Sequence, residues 1–416
     1  MKKHKLFFLL PMLLGGILFG CKKYEQRPLE QDPAYIRVFN NLTFSVDFLN
    51  NTQTPPFLTF LMDPEVDAAG VPNNASVIGD YLGTRQLYST SYPINEGNSS
   101  VGNGTLNESG QPNPPLGYPM NYEYPGNAHV LTAPVINGFD LSSWAQIPSG
   151  KHRIMFVVRP QSNTPFKDLG TVQRGSILID TTLNMEKGEV YTLEVVSRDL
   201  DNNKYGLYLR KELFIHQAFD ENKLYAGFVN LSGKRPEQSK YGTAFYFPDK
   251  VRINSTYNIC IDALSTSSSS YYLPLDGYNN TYYTTLNSKF DQSISYLPLP
   301  MLPQSSFFYQ GVLRTYPPVV TQVGQKTGTM PYVSFNLLDA DLPVTSPTGY
   351  KLDCWTDPAI FNNYVIRNPH STPNLNLVIN SDNHFRVYST VNIFEMVYDR
   401  VYLMQIKRGI DQIPQN

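Results

Sequence analysis

Short runs dense in β-branched and aromatic residues, each closed by Gly, Pro, Asn or Asp, constrain the fold of this chain more than any other feature. Ala34 to Phe39, Arg153 to Val158, Ser176 to Asp180 and Val190 to Val196 are of this kind. Each is too short for a stable helix and carries side chains that suit a pleated surface, so each reads as a strand. Between Val196 and Leu207 lie Asp199, Asp201, Asn202, Asn203 and Gly206. This is turn chemistry, and it folds Val190 to Val196 back onto Leu207 to Arg210 as a hairpin. The chain has 29 Tyr, 23 Phe, 32 Pro and 27 Gly with only 16% charged residues, which suits strands joined by turn-rich connections rather than helices.

Length divides this β material. About 395 residues follow the first 20, more than one hydrophobic core usually serves. The expected fold is all-β, two tandem antiparallel β-sandwich domains with long loop insertions, spanning 33–215 and 216–416. Internal echoes support two copies of one unit. Lys223 to Leu231 repeats the aromatic and aliphatic run into Asn seen at Ala34 to Asn41, and Lys187 to Val195 has a looser counterpart in Met396 to Ile406. From about 63 to 148 the first domain carries an insertion rich in Asn, Gly, Pro, Ser and Tyr. A loop that long is uncommon without purpose; it reads either as a binding loop or as an inert cover over a sheet.

Three of these segments also carry a resemblance. The opening Tyr35-Ile36-Arg37-Val38-Phe39-Asn40-Asn41, the run Ser149 to Phe156 and the run Gly188-Glu189-Val190-Tyr191-Thr192-Leu193 resemble a family of uncharacterised β-sandwich domains in cell-envelope lipoproteins of Bacteroidota. The match covers roughly a quarter of the first domain and less of the second, where Ala226-Gly227 stands at the place of the arginine. The resemblance implies an immunoglobulin-like or transthyretin-like sandwich and brings no catalytic residues.

The N-terminus gives an address. Lys2, Lys3 and Lys5 precede an apolar run from Leu6 to Phe19, and Gly20-Cys21 closes it. That is the pattern of a lipoprotein signal peptide over 1–20, whose cleavage leaves Cys21 as the lipid-bearing residue. The run falls short of the roughly 20 apolar residues that cross a bilayer as a helix. Residues 21–32 read as a flexible tether. Lys22 and Lys23, with no acidic residue directly after Cys21, point to the outer membrane, facing either outward or the periplasm. Three acyl chains would make that anchoring effectively permanent.

Charge and motif content bound the function. With 33 basic against 35 acidic side chains, there is no basic field to draw nucleic acid. Gly-x-Ser-x-Gly, His-Glu-x-x-His, a phosphate-cradling glycine loop and Cys-x-x-Cys do not occur. His129, His152, His216, His370 and His384 are scattered without zinc-type spacing; His216 with Asp220 is the nearest approach. Asp199-Leu200-Asp201-Asn202-Asn203 resembles a calcium loop but lacks its sixth-position glycine and twelfth-position glutamate. The chain is therefore expected not to be an enzyme, and to need neither metal nor cofactor. A glycan hydrolase with two carboxylates meeting in space is the remote alternative.

Binding residues are sought elsewhere. Tyr271, Tyr272, Tyr278, Tyr282 and Tyr283 follow the serine-rich run 265–270 and offer flat faces and hydroxyls to sugar rings; the plainer reading is an aromatic-lined strand. Cys260 and Cys354 form an even pair in an oxidising compartment, able to close a disulfide or to serve as small buried hydrophobes. Asp180-Thr181-Thr182 looks like an O-glycosylation acceptor. The expected role is that of an outer-membrane accessory lipoprotein holding a glycan or envelope partner through its loops. A structural anchor of a fimbrial or transporter assembly, taking a partner's strand at a sheet edge, is the second class.

Overall fold

The computed structural model describes residues 30–42, 56–84, 126–131, 135–220, 223–234, 237, 247–262, 270–287, 289–290, 294–300, 329–343, 349–355, 375–376, 391–398 and 400–406. The architecture is almost entirely β. In chain order the first half contains β1 (Pro33–Asn41), β2 (Leu58–Val66), β3 (Pro72–Leu82), β4 (His129–Val130), β5 (Val135–Ile136), β6 (Phe139–Asp140), β7 (Ala145–Pro148), β8 (Gly150–Val158), β9 (Ile177–Met185), β10 (Val190–Asp199) and β11 (Lys204–Lys211). One helical turn, α1 (Thr171–Arg174), lies before β9. The second half contains β12 (Leu224–Asn230), β13 (Val251–Asp262), β14 (Ser270–Pro274), β15 (Thr281–Leu286), β16 (Leu297–Leu299), β17 (Thr329–Asp339), β18 (Gly349–Trp355), β19 (Leu375–Asn376), β20 (Val391–Val397) and β21 (Arg400–Ile406).

Apart from the two-stranded ribbon of β5 and β6, the described strands form two sheets per half, and the two halves repeat one another. The inner sheets run β11-β10-β1-β7-β4 and β21-β20-β12-β16; the outer sheets run β3-β2-β8-β9 and β14-β13-β17-β18-β19, with β15 also pairing β13. Thus β1 corresponds to β12, β2 to β13, β8 to β17, β10 to β20 and β11 to β21. Neither half is purely antiparallel. β1 runs parallel to β10 and β12 parallel to β20, while all other pairings but β18 with β19 are antiparallel. Parallel neighbours need a long connection, and the chain supplies it by building the outer sheet between first and last strands.

Side-chain alternation then stacks the four sheets. Ala34, Ile36 and Val38 of β1 pack with Leu58, Phe60, Phe156, Leu193 and Val195 in the core of the first sandwich. Phe228, Phe335, Phe394 and Leu403 share the core of the second. The opposite faces of both inner sheets meet in a third core, where Phe39, Val190, Val196 and Tyr208 pack with Val229, Ile393, Tyr402 and Ile406. The central inner strands β1, β10, β12 and β20 are therefore buried on both faces. Residues 32–416 form one compact unit. Phe214 and Ile215, at the expected domain boundary, are buried in the middle core. Phe219 packs edge-on against Phe139, Tyr225 and Tyr296.

Several expectations change. The stretch 63–148 is not one long loop: β2 continues to Val66, and eleven-residue β3 pairs with it. Asn73, Asn74, Ser76 and Asp80 conceal that strand, because β3 is an edge strand whose outward positions are polar. Residues 85–125, at the centre of the supposed insertion, lie outside the described residues. The counterpart of Val190–Val196 is Val391–Val397, not Met396–Ile406, which overlaps β21. Gly227 does stand where the first half has Arg37.

Strand register bears on the two cysteines, which the sequence left as either a disulfide or small buried hydrophobes. Cys260 of β13 pairs with Met330 of β17, whereas Cys354 of β18 pairs with Val333. The two cysteines flank β17 at register positions of opposite parity. Two strand spacings separate them by about 9 to 10 Å. A disulfide requires Cα atoms within about 7 Å.

Candidate functional site

The tyrosine-rich segment separates into residues with different duties. Tyr283 of β15 points inward, its ring against Phe228 and Phe335. Its hydroxyl donates to the carbonyls of Leu297 at 2.6 Å and Ala226 at 3.1 Å, and burial holds the phenol far above the ordinary tyrosine range. Tyr283 therefore ties the outer sheet to the inner one and is closed to ligand. Tyr278 sits in the turn before β15, its ring 5.5 Å from that of Tyr257 and 36% exposed. Tyr271 and Tyr272 belong to β14, opposite Ile261 and Cys260. Among the described side chains of this segment, only Tyr282, 62% exposed, presents most of its ring to solvent.

Tyr282 is the end of a row that the sequence did not display. It pairs with Asn254 of β13, Asn254 with Asn336 of β17, and Asn336 with Lys351 of β18. Residues directly opposite on neighbouring strands share a face. Val251, Ile253, Phe335 and Leu337 occupy the core parity, so the row lies on the outer face of the second sandwich. Three strand spacings give it a length of about 14 Å. Asn254 is 4% exposed; its Nδ2 donates to Asn280 Oδ1 at 3.0 Å, and its Oδ1 has no hydrogen-bond partner among the described residues. Asn280 has positive φ, which its short side chain tolerates, and its amide donates to Thr256 Oγ1 at 2.8 Å. The exposed Tyr282 ring, the half-buried Asn336 carboxamide and the exposed Lys351 ammonium, in one line over buried Asn254, can meet the ring, hydroxyls and any anionic group of a polar ligand.

The other candidates take structural places. Trp144 is buried in the middle core and cannot act as a sugar platform. His152 is 6% exposed, its Nδ1 2.7 Å from Asp63 Oδ2 and its Nε2 2.9 Å from the Pro148 carbonyl. His216 pairs with Glu189 at 2.8 Å rather than with Asp220. Asp199 accepts from the Asn202 amide in the β10–β11 turn, a capping duty in place of calcium ligation. Asp180, Thr181 and Thr182 lie on edge strand β9, and Asp180 forms a two-pronged ion pair with Arg153. Among the described residues no group of His, Cys, Asp and Glu could hold a metal ion. Glu194, Glu212 and Glu395 converge, but all are fully buried around Arg210 and closed to any substrate.

Cys21 and the segment 1–20 lie outside the described residues, as do His370 and His384. Among the described residues no helix is long and apolar enough to cross a membrane. No protein-family model matches the chain, and no curated protein matches its sequence.

Proposed function

We propose that the chain is a lipid-anchored envelope protein that binds a carbohydrate on the outer face of its second sandwich. The observation that carries this reading is the cross-strand row Tyr282, Asn254, Asn336 and Lys351. Aromatic faces gain from apolar sugar faces, and side-chain amides exchange hydrogen bonds with hydroxyls. Anchoring through Cys21 at the outer membrane, in the manner of Bacteroidota envelope lipoproteins, is the part of the reading that rests on the sequence.

The test is affinity electrophoresis of the purified 21–416 chain in gels holding a panel of polysaccharides. Retardation by at least one polymer is expected, and Tyr282→Ala should weaken it about tenfold, equivalent to ~1.4 kcal/mol. Equal mobility in every gel would dismiss the carbohydrate reading. Metabolic labelling with palmitate tests the anchor separately: label should vanish in Cys21→Ala.

A second reading, a strand-accepting anchor of an assembly, is favoured by β9. It is nine residues long, stands at the edge of the first outer sheet and exposes Ile177. A stoichiometric partner retained after gentle detergent purification would support it.

A further inference from the structure

The middle core, where the two halves face each other, contains charge that an apolar docking surface does not need. Arg210 of β11 is fully buried and reaches three carboxylates: Glu194 at 2.9 Å, Glu212 at 2.9 Å and Glu395 at 2.6 Å. Glu194 and Glu212 belong to the first half and Glu395 to the second. Asn41 Nδ2 donates to Glu194 at 2.6 Å, and Thr192 Oγ1 to Glu212 at 2.5 Å. Arg37, also fully buried, lies 3.7 Å over the Trp144 ring and donates to the Met404 sulfur.

Strand register shows why these residues meet. In the first half Arg37 pairs with Thr192 and Phe39 with Glu194; in the second Gly227 pairs with Ile393 and Val229 with Glu395. Across the hairpins, Thr192 faces Arg210 and Glu194 faces Tyr208, while Ile393 faces Met404 and Glu395 faces Tyr402. Glu194 and Glu395 are thus the same position of the repeat, as are Tyr208 and Tyr402. Arg210 and Met404 are also one position, and their side chains touch, with Arg210 Nη2 3.8 Å from the Met404 sulfur. Such self-to-self contact is what two like faces make about a two-fold axis. The charges break the symmetry. Where the first half has Arg37 and Arg210, the second has Gly227 and Met404, and the space above Gly227 is filled by Ile294 and Tyr296.

We infer that the inner faces form a pseudo-two-fold docking surface on which Arg210 determines the partner: one guanidinium serves both copies of the repeat's glutamate. Two second-half faces together would bury Glu395 against Glu395 with no cation from either. Two first-half faces would bring Arg210 against Arg210, because the neighbour of Arg210 is its own equivalent position. Only a first half facing a second half gives the shared counter-ion a methionine neighbour. The surface therefore selects the other half of the chain over a second copy of either half.

The position equivalence makes this testable in the full chain. Arg210→Met should lower Tm by about 5 to 10 °C, since it strands buried carboxylates. Met404→Arg should also lower it by setting two guanidiniums together. Position 404 also touches Arg37, so the exchange is made in an Arg37→Met background, where combining the two moves the guanidinium to the equivalent position and at least half of the Arg210→Met loss should return. A double variant no more stable than Arg210→Met overturns the proposal. Should Arg210→Met fail to fold, a cycle of Arg210→Lys and Glu395→Gln serves instead. Coupling of at least about tenfold in the unfolding equilibrium is expected, and independent effects overturn the shared counter-ion.

Discussion

Asn40 and Asn230 share two hydrogen bonds of the same kind in the two halves of the molecule, and Asn40 adds a third, to the Leu82 carbonyl at 3.2 Å. The Asn40 carboxamide accepts from the Leu42 amide at 3.2 Å and donates to the Pro56 carbonyl at 3.0 Å. Asn230 accepts from the Ser232 amide at 3.1 Å and donates to the Pro248 carbonyl at 2.8 Å. Each side chain clamps the end of an inner strand to the chain leading into β2 or β13 of the outer sheet. The Asn that ends both echoed segments in the sequence is thus a buried fastening between layers.

Replacing either asparagine by alanine should leave a buried carbonyl and amide without partners. The cost is about 1–3 kcal/mol per site. Thermal unfolding followed by circular dichroism should show similar losses for Asn40→Ala and Asn230→Ala. A shift at one site only would show that the fastenings are not equivalent.

The connection between the halves should be dispensable once the protein has folded. Phe214, Ile215 and the middle core hold the halves together, and Gln217, Ala218 and Asp220 are exposed. Limited proteolysis between Gln217 and Lys223 should yield two pieces on a denaturing gel. On size exclusion they should co-elute at the position of the intact chain. Pieces that elute separately without denaturant would contradict the buried middle core.

Acid should weaken the first half through particular carboxylates. The hydrogen bond from Arg153 holds Asp180 below its usual range against a smaller effect of burial. Burial acts to raise Glu189, but hydrogen bonds from His216 and Lys211 outweigh it and leave its pKa lowered. A carboxylate depressed in the folded state adds stability that is complete above its unfolded pKa near 4 and is lost as pH falls through the folded value. Urea midpoints should therefore decline below about pH 4, with a shallower slope in Asp180→Asn. Both residues keep solvent contact, so screening keeps each contribution modest. An unchanged slope would remove Asp180 from the account.

Alkylation provides the simplest check on the strand register. Denatured without reductant, the protein should take up iodoacetamide at both Cys260 and Cys354, as read by mass spectrometry of its peptides. A Cys260–Cys354 cross-linked peptide would show that β13 and β18 are not separated by β17.

Much of the secondary structure was legible because strands announce themselves locally. The β8 and β10 segments and the turn into β11 follow from β-branched runs and Asn/Asp chemistry, which act within a few residues. β3 was missed because an edge strand's polar outward positions look like loop. The candidate site was half legible. Tyr282 belonged to an aromatic cluster visible in the sequence, whereas Asn254, Asn336 and Lys351 join it only through pairing between strands distant along the chain.

Residue patterning alone establishes that this is a β protein, locates its β10–β11 hairpin and shows that its second half echoes the first. That the inner sheets lie back to back emerges only from packing in three dimensions. A two-residue period reports which side chains share a face and says nothing of what covers that face. The same limit applies to Arg37, Glu194, Arg210, Glu212 and Glu395, which in the sequence are ordinary charged residues on strands. Their importance comes from burial, where removing one partner leaves a charge that water can no longer solvate.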